Sequence, residues 1–113
     1  MPYIAISTSK PVDMQTRNTL QTEIANIMDI IPGKNPSNTV INISDSCSFY
    51  NDKQPVEAVF VDIRLYKESP EESKKAFAER MFIVLEATLQ IPPSKVSMNF
   101  TEQPNWASNG NYF

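Results

Sequence analysis

The second residue is the most chemically suggestive. Methionine is usually removed from a new chain when the next residue is as small as proline, and Pro2 would then carry a free secondary amine able to act as a base. A plainer reading makes Pro2 the first residue of a strand, where its missing amide N–H takes nothing from a ladder. The rest of the inventory is thin. The chain has no histidine and one cysteine, Cys47, so a zinc site, a histidine-activated nucleophile and an intrachain disulfide find little support. Lys34, directly after Pro32-Gly33, is either a charge that a substrate could meet or a solvated helix-end lysine. Arg64 could clamp a carboxylate with its fork of donors, or simply pair with Asp62 two residues away or with a surface glutamate.

The elements that must carry these residues are legible as periodicities. Residues 2–7 alternate as a strand. From about residue 13, Leu20, Ile24, Ile27, Met28 and Ile31 recur at helical spacing, predicting a helix of about five turns that Pro32-Gly33 ends. Residues 39–44 (TVINIS) alternate again, and 46–55 (SCSFYNDKQP) read as a polar loop. The clearest strand is 58–66 (AVFVDIRLY), with Val59, Val61, Ile63 and Leu65 on one side and Phe60, Asp62 and Arg64 on the other. Ser69-Pro70-Glu71-Glu72 predicts a capping box with proline at the first helical position, and Phe77, Met81, Val84, Leu85 and Leu89 form the following stripe, ended by Pro92-Pro93. Residues 95–101 (KVSMNFT) make the last strand, Val96, Met98 and Phe100 opposite Ser97, Asn99 and Thr101.

The order strand, helix, strand thus occurs twice, in halves of about 1–50 and 57–105 within one domain spanning 1–113. Each crossover makes its two strands parallel, so the expected fold is α+β: two βαβ units forming a four-stranded mixed sheet with both helices on one face. The helices would cover the Ile/Val face. Tyr3, Ala5, Asn42, Phe60, Asp62, Arg64, Ser97 and Asn99 would share the other, which is too mixed for a dry core and too aromatic to be simply solvated. Water or the same face of neighbouring copies must meet it. A chain of 113 residues buries only about two-thirds of its unfolded surface, so association would help it.

Composition excludes some partners. The net charge is −3 and the basic residues are scattered, which argues against nucleic acid. The longest apolar run, Met81 to Leu85, is far too short to span a bilayer, and no basic start precedes it, so a cytoplasmic protein is expected and no membrane partner. Asn42-Ile43-Ser44 and Asn99-Phe100-Thr101 match the glycosylation pattern but have no secretory signal behind them.

Taken together, MPYIAIS at the start, Gly33-Lys34 after the first helix, IPPSKVSMNF through the last strand and NWASNGNYF at the end resemble the tautomerase superfamily, most nearly its macrophage migration inhibitory factor-like branch. The resemblance covers nearly the whole chain. It implies a homotrimer whose sheets surround a central channel, and a cofactor-free keto–enol tautomerase acting on a small 2-oxo acid such as phenylpyruvate. Pro2 matches the family's catalytic base, Lys34 the lysine that holds substrate carboxylate or ketone oxygen, and Asn99 the asparagine contributed across a subunit boundary. Tyr3, Trp106 and Phe113 are candidate pocket residues, although the last two could equally pack the tail against a neighbouring subunit. Ser97 stands where relatives usually have tyrosine, which weakens the expectation of an aromatic substrate. Arg64 falls at or near a position where relatives tend to carry isoleucine, and arginines at the mouth of the site recur in the superfamily's hydratase and dehalogenase branches. A non-catalytic trimer that binds a protein partner is the alternative from a different class, favoured if Met1 is retained and the Pro2 nitrogen stays an amide.

Overall fold

The computed structural model describes residues 1–113. In chain order the elements are β1 (Tyr3–Thr8), α1 (Met14–Asn26), β2 (Val40–Ser44), β3 (Tyr50–Asn51), β4 (Gln54–Pro55), β5 (Val59–Tyr66), α2 (Glu71–Leu89), β6 (Val96–Gln103), β7 (Ala107–Ser108) and β8 (Asn111–Tyr112), with short 3₁₀ turns before β2 and β6. The main sheet runs β2-β1-β5-β6. β1 pairs parallel with β2 and β5 parallel with β6, as each helical crossover requires, while β1 and β5 meet antiparallel in the centre. The expected mixed four-stranded sheet with two helices is therefore the one observed.

Alternation along the strands sends one residue set to each side. Ile4, Ile6, Val59, Val61, Ile63 and Leu65 are buried under Leu20 and Ile24 of α1 and Phe77, Met81, Val84, Leu85 and Leu89 of α2. Each such side chain contributes roughly 1.5–3 kcal/mol by leaving water. On the opposite face the register stacks Asn42, Ala5, Asp62 and Asn99 in one row, and Val40, Tyr3, Arg64 and Thr101 in the next. Phe60 on that face is 39% exposed.

Three details differ from expectation. The first helix ends at Asn26, and Met28–Ile30 form a 3₁₀ turn instead of a further α-turn; Met28 and Ile31 are still fully buried, so the apolar spacing survives a tighter winding. The Ser69 capping box does not form. Pro70 occupies the N-cap instead, with no polar side chain to bond a helix N–H, while the Ser69 N–H donates to Glu102 Oε2 on β6 at 2.6 Å. The loop 46–55 contains the β3–β4 hairpin, turned by Asp52 and Lys53, both at positive φ.

Candidate active site

β1 starts directly after Pro2. The Pro2 carbonyl accepts from the Val40 N–H at 3.0 Å, which fixes the residue against β2, while its nitrogen has no hydrogen to donate. Pro2 itself is buried. Beside it opens a cavity of about 300 Å³ lined by Met1, Pro2, Tyr3, Val40, Arg64 and Trp106. The antiparallel register places Tyr3 opposite Arg64, and the parallel one places Tyr3 opposite Val40, so three strands converge on the Pro2 end of β1.

Electrostatics at this end disfavour a protonated amine. The Met1 ammonium titrates below its ordinary value, chiefly through burial and secondly through the positive charge of Lys34. Lys34 reaches this neighbourhood by a tight turn. Its N–H donates to the Ile31 carbonyl at 3.1 Å around Pro32 and Gly33, with Gly33 at φ +79°, the type II arrangement that needs glycine third. Lys34 Nζ then donates to the Tyr66 carbonyl at 3.3 Å. That contact anchors the ammonium at the end of β5 rather than at the helix end.

Arg64 does both things its sequence context allows. It lines the cavity, and its Nε and Nη2 donate to Asp62 Oδ2 at 3.3 and 3.1 Å. The Tyr3 hydroxyl accepts from Asn42 Nδ2 at 3.2 Å, steadying the ring at the cavity's edge. Trp106 is held by the tail hairpin: β7 pairs with β8 around Asn109 and Gly110, both at positive φ, and the Phe113 N–H donates to the Trp106 carbonyl at 2.7 Å. Phe113 does not line the cavity; its ring packs on Tyr66 at 5.7 Å between centroids. Ser108 Oγ donates to Met1 Sδ at 3.6 Å, so the hairpin also touches the first residue.

Ser97 and Asn99 stand apart from this cluster. Both lie on β6, separated from β1 by the whole of β5, which puts them about two strand widths, roughly 10 Å, to the side. Asn99 faces a shallow depression with Glu71, Lys74 and Lys75, and Ser97 another with Asn51, Glu57 and Lys95. Two residues near the cavity were not foreseen. Val40 is half-exposed at the first position of β2, and the signal for it was the parallel pairing of β1 with β2. Tyr66 carries both Lys34 and Phe113, and nothing in the sequence distinguishes it from any other strand-end tyrosine.

No family profile and no curated protein matches this sequence. Its fold, however, is shared with solved structures. Leishmania major MIF2 superposes with a TM-score of 0.90 at 19% identity, over 100% of this chain and 97% of that one. The macrophage migration inhibitory factor-like protein of Entamoeba histolytica gives 0.85 at 20%, over 99% and 98%. Pt0534, solved after inactivation by 2-oxo-3-pentynoate, gives 0.85 at 17%, over 96% and 92%. The chain therefore has the fold of macrophage migration inhibitory factor-like and tautomerase-superfamily proteins.

Proposed function

We propose that, once Met1 is removed, the Pro2 amine is the base of a cofactor-free keto–enol tautomerase acting on a small 2-oxo acid, phenylpyruvate being the assay substrate of choice. The observation that carries this reading is the convergence of Pro2 and Arg64 on one small cavity at an end of the chain where burial and Lys34 already depress an amine. An unprotonated secondary amine there would take a proton from the carbon beside the ketone, leaving an enolate, and return it to the enolate oxygen to give the enol, work worth about 10²–10⁴-fold in rate. Lys34 and Arg64 would neutralise substrate carboxylate and enolate charge. Inactivation of Pt0534, a neighbour in fold, by 2-oxo-3-pentynoate supports a 2-oxo acid as the ligand class.

The same reading takes the working form to be a homotrimer. Val40 and Phe60 are exposed apolar residues on the face that no helix covers, and a neighbouring copy would bring its own Asn99 to the cavity that this chain's Asn99 does not reach. Light scattering at micromolar concentration should give three times the 12.8 kDa chain mass; a stable monomer would remove the shared site.

Inserting alanine between Met1 and Pro2 tests the base. The processed variant has its terminal amine displaced by about 3.5 Å, and the Pro2 nitrogen becomes an amide. Its rate on phenylpyruvate should fall by at least about 10²-fold with thermal stability retained. Unchanged turnover, on material whose start is verified by mass, would make Pro2 a strand-edge proline only.

A further inference from the structure

The carboxylate beside the cavity has so far no function. Asp62 and Arg64 lie two residues apart on β5 and so point from the same face of the sheet. One oxygen of Asp62, Oδ2, accepts from both Nε and Nη2 of Arg64. Those two donors form the side edge of the guanidinium. The end edge, formed by Nη1 and the second hydrogen of Nη2, is left free, and it is the other edge able to take a carboxylate through two parallel hydrogen bonds. Within a single chain Arg64 is the more exposed partner, at 56% against 27% for Asp62, so the carboxylate is the sheltered anchor of the pair. An arginine on an open face otherwise samples many rotamers and loses that freedom when it binds a ligand. Asp62 restricts it beforehand.

We propose that Asp62 is a positioning residue: it grips Arg64 by the Nε/Nη2 edge and thereby presents the Nη1/Nη2 edge to the carboxylate of a ligand in the Pro2 cavity. The assignment rests on the reading of that cavity as a 2-oxo acid site, but it requires only carboxylate binding, not turnover. It also predicts selectivity. A ligand with a carboxylate gains from Asp62, and the corresponding neutral ester does not.

Trp106 is the chain's one tryptophan and lines the cavity, so its fluorescence reports occupancy. Met1-free protein is titrated with 2-oxobutyrate and with methyl 2-oxobutyrate, in the wild type, Asp62→Asn, Asp62→Glu, Arg64→Leu and the Asp62→Asn/Arg64→Leu double variant. Asp62→Asn should weaken the acid by about 3- to 10-fold, within the range of coupling seen for neighbouring charged groups, and leave the ester's affinity where it was. Asp62→Glu should recover most of the loss, and Asp62→Asn should add nothing in the Arg64→Leu background. With phenylpyruvate the Asp62→Asn effect should fall on KM rather than kcat. Equal weakening of acid and ester, an unchanged acid affinity, a full additive loss in the double variant, or a wild type that does not prefer the acid would each overturn the assignment. Failure of the tautomerase reading is separately visible: the wild type would then bind the acid without tautomerising it, and the binding titrations would still decide the role of Asp62.

Discussion

The two faces of one sheet are built from the same strands and do different work. Toward the helices, Ile4, Ile63 and Leu65 are fully buried and interchangeable in kind: aliphatic, uncharged, close-packed. Toward the open side, Tyr3, Asp62 and Arg64 alternate with them along the same backbone, and each has a distinct partner or a place at the cavity. The helix-covered face specifies the fold through area and shape, whereas the open face spends that rigidity on placing a few polar groups. A substitution should therefore register in one property or the other, according to the parity of its position.

Phe77→Ala is the largest expected effect. Phe77 is fully buried on α2 and meets Phe100 edge-on at 6.2 Å, so its truncation should cost about 3–5 kcal/mol, read as a fall in the denaturant midpoint. Any loss of activity should appear only in proportion to the unfolded fraction. Lys34→Ala should do the reverse. One charge-assisted contact of about 1.5–3 kcal/mol corresponds to a roughly 10- to 100-fold lower kcat/KM on phenylpyruvate, while unfolding stays within about 0.5 kcal/mol of wild type. Lys34 sits in a turn rather than on a strand, but it serves the same cavity, so a Lys34→Ala variant that unfolds early but turns over normally would break the division between packing residues and site residues.

The smallest effect sharpens the comparison at the sheet's edge. Glu102 on β6 accepts from Lys74 Nζ at 2.9 Å and from the Ser69 N–H, and these bonds, Lys74 first, hold its carboxyl below the usual carboxylate range. A carboxyl with a depressed folded-state pKa adds stability above its unfolded pKa, near 4.3, and that stability is lost as pH falls through the lower folded value. Glu102→Gln should thus lower the melting temperature by a few degrees at pH 7, for about 1 kcal/mol, and by less at pH 3. An equal loss at both pH values would show that packing, not charge, ties α2 to β6.

Much of this architecture was legible in the residues, and the limits have physical causes. Period-two and helical spacings placed β1, β2, β5, β6 and α2 to within a few residues and overran only the end of α1, because one face of each element had to be apolar. The 3₁₀ turn at Met28–Ile30 escaped because its side chains are as buried as a continuing helix would have left them. The β7–β8 hairpin carries a usable sign, since Asn109-Gly110 is a dipeptide suited to the two positive φ positions it occupies. The β3–β4 turn carried none, since Asp52 and Lys53 adopt positive φ without glycine. For the site, alternation put Tyr3, Arg64, Ser97 and Asn99 on one face, and the structure gathers Tyr3 and Arg64 with Pro2 and Trp106. Ser97 and Asn99 fall away on the edge strand. Periodicity fixes which face a residue occupies but not how far across the sheet its strand lies.

The central claim, that the Pro2 end of β1 holds an amine tuned to act as a base, can be read without any substrate. Met1-free protein labelled with ¹⁵N-proline is titrated while the Pro2 nitrogen resonance is followed. The environment that lowers the Met1 ammonium through burial and Lys34 should act on the Pro2 amine too, giving a midpoint below the roughly 8 of an ordinary amino terminus, rising in the Lys34→Ala variant. A midpoint at or above 8 that ignores Lys34 would contradict the account.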